Sequence, residues 1–184
     1  FPQNMFETSV KIPFIAYRKG FSPAVSIPQG LYSHYDLYAT LLEYAGITSA
    51  PNEKSPGQSF CGLLQGQPEE SGRDSIFVLD EYGPVRMLRT REYKYIHRYP
   101  YGPCELYHLT EDPDEKHNRY EDPAMAEVVR SMQLQLSEEF NKYTLPYNDG
   151  SKLPVYGKGQ MHKLDGRLDD AFAKDFFFVN PKHR

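Results

Sequence analysis

Four short runs rich in strand-forming residues, at 76–81, 85–89, 93–98 and 105–109, are separated by the turn clusters YGP, TRE and YPYGP. Gaps this short leave no room for the crossover that a parallel pair requires, so the runs predict an antiparallel meander. A helix signal follows at once. Asp122 stands as N-cap with Pro123 at the first helical position, and Met125, Val128, Val129, Met132, Leu136 and Phe140 recur along one helical face. Such a helix is expected to cover one face of the sheet.

Upstream the pattern changes. Phe14, Ile15, Ala16 and Tyr17 form a short apolar run between Pro13 and Lys19, which predicts a buried strand. Leu31, Tyr35, Tyr38, Leu42 and Ala45 then follow the stripe of an amphipathic helix over 31–45. Ser33 with Asp36 three residues on resembles a capping box, and Gly46 followed by Ile47 predicts a left-handed cap with its apolar contact. Strand, loop and covering helix are what the end of a layered α/β domain supplies. From Pro51 to Gly72 the chain is rich in Pro, Gly, Ser, Gln and Glu, broken by Phe60, Cys61, Leu63 and Leu64, which are expected to pin this connection to a surface. The fold class is therefore an α/β fragment followed by an α+β unit. Residues 1–70 form the first part with its linker, 71–145 the sheet with its helix, and 146–184 a polar, Gly-containing tail ending in Phe176, Phe177, Phe178 and Val179.

Composition excludes several classes. With 184 residues the chain has room for a core, and 15 Tyr and 11 Phe without any Trp mean that tyrosine rings must pack where aliphatic side chains often do. The net charge of −4 offers no general attraction to nucleic acid or anionic membrane. No apolar run approaches the roughly 20 residues of a membrane helix. Cys61 and Cys104 fit neither a disulfide framework nor a zinc pattern, and the six histidines show no paired spacing for a metal. The TEDPDE segment lacks the glycine and terminal glutamate of an EF-hand loop and reads as a turn. Ser33, His34 and Asp36 are neighbours on one helical turn and cannot converge as a catalytic triad. Gly157, Lys158 and Gly159 lack the frame of a phosphate loop.

Charge is locally segregated. Arg86, Arg89, Arg91, Lys94 and Arg98 stand against Glu92 alone, with His97 among them, and the segment 111–122 then carries six acids against Lys116 and Arg119. The simpler expectation is that the two segments pair with each other on a solvated surface. The sharper one is an anion site, since Arg grips sulfate or carboxylate through two parallel hydrogen bonds and His adds a tunable donor. Alternation puts Tyr93, Tyr95, His97 and Tyr99 on one strand face and Lys94, Ile96 and Arg98 on the other. For His97 the plainer reading is a histidine packed among tyrosines with one hydrogen bond.

In order, NMFETSVKIPFIAY, SHYDLYATLLEYAGI, PGQSFCGLLQG, VRMLRTREYKYIHRY and ELYHLTEDPDEKHN resemble the C-terminal portion of a formylglycine-dependent sulfatase of the alkaline phosphatase superfamily. Ala39 departs from a proline common there, a change that a helix interior tolerates. The resemblance implies the end of a large α/β sulfatase domain followed by a small four-stranded antiparallel sheet covered by a C-terminal helix. It further implies that the nucleophile motif, the metal ligands and the catalytic lysine lie upstream of Phe1, so this chain is a fragment holding no catalytic or metal residue and is inactive alone. Ca2+ belongs to the full-length enzyme, with none bound by this chain. The expected partners are the N-terminal catalytic part, a sulfated small molecule or carbohydrate, and another copy of the protein in a homo-oligomer, but no nucleic acid or membrane. Periplasmic or secreted location is the family expectation.

Under this reading His97 and Arg98 contact the organic part of the substrate, with Tyr99 and Tyr101 as stacking groups, while Lys158 and Gln160 touch the active-site rim or a neighbouring subunit. Two alternatives stay open. One is a phosphodiester or phosphonate hydrolase of the same superfamily, and the other is a non-catalytic module binding anionic polysaccharide.

Overall fold

The computed structural model describes residues 5–17, 29–47, 55–67, 73–80, 85–98 and 103–145. The chain divides into two compact units, one of Lys11–Ile76 and one that joins Phe1–Val10 to Phe77–Arg184.

In the first unit, α2 runs from His34 to Tyr44, after a single short turn α1 (Glu7–Val10) that belongs to the other unit. Both ends of α2 form from local chemistry. At its start the Ser33 amide donates to Asp36 Oδ2 at 2.8 Å. At its end Gly46 takes φ +69°, and the Gly46 and Ile47 amides return to the carbonyls of Glu43 and Leu42, a Schellman closure that satisfies two otherwise unpaired carbonyls. The short helix α3 (Cys61–Leu64) is tied down next to it. The Phe60 amide donates to Thr40 Oγ1 at 3.0 Å, and the Phe60 ring meets Phe14 and Tyr32 edge-on. Of the four apolar residues expected to pin this segment, Phe60 and the buried Cys61 do so, within the same compact unit as α2.

The run Phe14–Tyr17 is not a strand. It has no regular structure, and Ile15 is 89% exposed. A strand needs a neighbouring ladder for its amides and carbonyls, and no strand among the described residues lies alongside this one.

The second unit holds the sheet, β1 (Ser75–Asp80), β2 (Val85–Thr90), β3 (Tyr93–Arg98) and β4 (Glu105–His108), in sequential order. The β2–β3 pair is antiparallel with Met87 opposite Ile96, and β3–β4 is antiparallel with Tyr95 opposite Leu106. After a 3-10 turn (Pro123–Met125), whose Asp122 cap accepts the Ala124 amide at 2.9 Å, helix α4 extends from Ala126 to Tyr143. Val129, Met132, Leu136 and Phe140 of α4 bury against Leu88, Tyr95 and Leu106, with Met125 and Val128 at the margin. At about 1.5–3 kcal/mol per fully buried apolar side chain, this layer is a large source of stability in the unit.

The opposite sheet face is also covered. Val85, Met87, Ile96, Tyr107 and Leu109 pack with Met5, and Phe6 and Val10 close the edge of that cluster. The amino-terminal segment therefore serves as the second cover of the sheet. Among the described residues no helix is long and apolar enough to cross a membrane.

Candidate functional site

The chemistry expected of the chain centres on the end of β3. His97 and Arg98 lie on opposite faces of the strand, so the sheet does not bring them together. His97 stands on the α4 side. Its Nδ1 lies 2.7 Å from the Tyr95 hydroxyl, which in turn accepts the Gln133 side-chain amide of α4 at 3.0 Å. In the ladder His97 is opposite Arg86, whose guanidinium sits 4.2 Å over the Phe140 ring. Burial holds the imidazole below the usual histidine range, and the Arg86 charge adds to that effect.

Arg98 is buried on the other face, where it pairs with the Glu105 carboxylate and donates to the Pro103 carbonyl at 3.0 Å. Tyr107 donates to the second Glu105 oxygen at 3.0 Å. These bonds fix the two ends of the β3–β4 connection. Tyr99, Tyr101, Lys158 and Gln160 lie outside the described residues.

The basic strip is largely built into the fold. Lys94 is fully buried, a position that an ammonium tolerates only when its donors are met. Its Nζ donates to the Met5 carbonyl at 2.8 Å and lies 2.7 Å from both Glu7 Oε1 and Glu115 Oε1. Arg89 meets both Glu7 oxygens, at 3.0 and 3.2 Å, and the Glu7 amide donates to Glu115 Oε2 at 2.6 Å. Two cations and two carboxylates thus close a neutral cluster between the amino-terminal segment, β2, β3 and the turn before α4. Glu115 takes φ +54°, a conformation that costs an L-residue about 1–2 kcal/mol, and from that turn its carboxylate reaches Lys94. Lys94 with Glu115 joins the strip to segment 111–122, but as a buried pair and not on the solvated surface expected, whereas Arg89 pairs with Glu7, and Arg119 with Asp122 inside the acidic segment.

This cluster sets an acid limit. Burial pushes the Glu7 carboxyl upward, but the Arg89 and Lys94 hydrogen bonds and charges outweigh it and hold the group below its ordinary value of 4.5. A depressed folded-state value means that the stabilisation is present above the unfolded carboxylate range and is lost as pH falls through the folded one. Stability measured by urea unfolding is expected to drop below about pH 4.5, and Glu7→Gln is expected to flatten that drop.

The two cysteines show no nucleophile environment. Cys61 is buried at 1% exposure, and burial followed by the Glu43 charge pushes its thiol up, away from the thiolate. Cys104 stands beside the hydroxyls of Tyr95 and Tyr120. Among the described residues no group of three or more His, Cys, Asp or Glu side chains could hold a metal ion, so these residues do not fit a calcium centre. The role of Lys94 was missed in the sequence, where a lysine flanked by Tyr93, Tyr95 and Ile96 in a strand centre was the one available signal.

Residues 2–142 match the family described as N-sulphoglucosamine sulphohydrolase, C-terminal. The chain belongs to that family. Among relatives of this sulphohydrolase C-terminal chain, the Delta 4,5-hexuronate-2-O-sulfatase of Bacteroides thetaiotaomicron is 28% identical over 136 residues, covering 68% of this chain and 27% of the relative. Arylsulfatase K of Mus musculus is 31% identical over 134 residues, covering 64% of this chain and 23% of the relative. The solved structure of a 2-O GAG sulfatase matches with a TM-score of 0.52 at 28% identity, covering 67% of this chain and 27% of that one. The sulphohydrolase C-terminal chain therefore spans about a quarter of the length of the relatives it matches.

Proposed function

We propose that this chain is the C-terminal portion of a sulfatase that hydrolyses sulfate esters of a sulfated carbohydrate, and that the end of β3 forms part of the wall that holds the organic part of the substrate. One observation carries the reading: the family match runs from residue 2 to residue 142, across both compact units. The relatives named as sulfatases support the reaction class, and two of them are named for 2-O sulfatase activity.

In this reading the chain contributes binding and not bond cleavage. The hydrolysis would draw on a formylglycine nucleophile and a calcium ion supplied by other residues of the full-length enzyme. What these residues offer is a neutral imidazole donor at His97 with the Arg86 cation beside it, suited to hydroxyl, carboxylate or sulfate oxygens of a sugar. Tyr99 and Tyr101 are the sequence candidates for stacking on a sugar ring, and Lys158 and Gln160 the candidates for the rim, and all four lie outside the described residues. Location outside the cytoplasm, in the periplasm or beyond, accompanies the reading.

The test is sulfate release by the full-length protein from 2-O-sulfated and N-sulfated disaccharides, against a phosphonate monoester control. Free sulfate from a disaccharide, with none released by residues 1–184 alone, is the expected result. Turnover of the phosphonate alone would overturn the sulfatase reading, and saccharide binding without any turnover would assign the chain to a binding module.

A further inference from the structure

Tyr95 is fully buried with its ring in the α4 layer, yet its hydroxyl joins two polar groups from different elements, Gln133 on α4 and His97 on β3. A phenol carries one proton. The Gln133 Nε2–H group donates to the hydroxyl oxygen at 3.0 Å, and of the two other groups beside that hydroxyl, the Cys104 thiol and His97 Nδ1 at 2.7 Å, the imidazole nitrogen is much the stronger acceptor for the phenolic proton. A nitrogen that accepts a proton in a hydrogen bond is unprotonated, so the ring proton of His97 resides on Nε2. We propose that Gln133 and Tyr95 are positioning residues that set His97 as the neutral Nε2–H tautomer, and so decide which edge of the imidazole can donate to a bound saccharide.

Among the described residues, the groups that face this pair are consistent with a neutral ring. Arg86 lies opposite His97 on β2 and disfavours the imidazolium, while Cys104 and Tyr120 beside the Tyr95 hydroxyl bring no carboxylate. Among the described residues at the β3–β4 ends the carboxylate is Glu105, and it is engaged with Arg98 and Tyr107 on the other face. Gln133 projects from the third turn of α4, whose apolar stripe Val129, Met132 and Leu136 seats the helix on the sheet and so fixes the reach of the amide. The donor at the end of β3 is thus set from the helix behind the sheet.

The saccharide contact rests on the sulfatase reading, but the tautomer does not, and the experiment separates them. Histidine ring nitrogens of the full-length protein, labelled with nitrogen-15, are read by long-range proton–nitrogen correlation across pH 5–8. The expected wild-type pattern for His97 is a protonated Nε2 and an unprotonated Nδ1, with titration below the ordinary histidine range. Gln133→Glu keeps the shape but replaces the amide donor with an acceptor, so the Tyr95 proton turns to the new carboxylate and Nδ1 becomes protonated; the titration is expected to rise by about one unit or more. Tyr95→Phe, which keeps the ring packing, is expected to remove the tautomer preference. An Nδ1–H tautomer in the wild type, or no change in tautomer or titration in both folded variants, would overturn the proposal. Kinetics of His97→Ala address the saccharide contact by themselves, because an unaltered kcat/KM there leaves the nitrogen pattern as it was and removes only the substrate role.

Discussion

Lys94→Met is expected to lower stability by about 3–5 kcal/mol in equilibrium urea unfolding, the cost of removing one partner from a buried ionic group. Methionine matches the length and packing of the lysine stem, so the loss reports the charge and not a cavity. Without the ammonium, Glu7 and Glu115 are left facing each other beside the sheet with Arg89 as the sole remaining cation of the cluster, and the Met5 carbonyl loses its donor. The damage extends beyond β3, because the same contacts hold the Met5–Val10 segment over Val85, Met87 and Ile96. A second substitution, Glu115→Gln, is expected to recover part of the loss by restoring neutrality. Equal losses in the single and double variants would show that the cluster is not the clamp described above.

Asp36→Ala is expected to be of similar size, about 3 kcal/mol or more by the same method. Asp36 is 1% exposed and its carboxylate serves three donors in one place. Oδ2 accepts the Ser33 amide that begins α2, and Oδ1 accepts the Gln58 amide at 2.8 Å and the Arg73 guanidinium. Arg73 also reaches the Pro56 carbonyl and sits 4.8 Å over the Tyr35 ring. Removing the carboxylate leaves a half-buried guanidinium and two amides without their acceptor, at the point where residues 55–60 close over the helix. That closure is tight, since a Cβ on Gly57 would lie 2.3 Å from the Tyr35 carbonyl oxygen. Asp36→Asn, which keeps one acceptor, should cost less; a loss under about 1 kcal/mol for Asp36→Ala would mean that Arg73 and Gln58 find other partners.

Helices α2 and α4 and the four strands of the sheet were legible because their signals are local, whereas the single turns α1 and α3 carried none. Ser33, Asp36, Gly46 and Ile47 act within one turn of the helix ends they define, and the α4 stripe is set by a period of 3.6 residues. What escaped was non-local. Glu7 and Lys94 are 87 positions apart in sequence, and nothing in either neighbourhood names the other. A hint of the second cover did exist, since β2 and β3 carry apolar residues at both parities, Val85 and Met87 on one face and Leu88 and Tyr95 on the other. The error at Phe14–Tyr17 has the same root, for an apolar run becomes a strand only when a ladder lies beside it. For the candidate site, the plainer reading of His97 as a histidine bonded within a tyrosine cluster matches its surroundings, whereas the commitment of Arg98 to Glu105 depends on a hairpin register that composition does not reveal.

The most direct measurement is kcat/KM of the full-length enzyme carrying His97→Ala, on a sulfated disaccharide and on a small aryl sulfate that lacks the sugar. A fall of about tenfold or more is expected on the disaccharide, mainly through KM, with the aryl sulfate nearly unaffected. Equal rates on the disaccharide with and without the imidazole would contradict the assignment of β3 to the substrate wall.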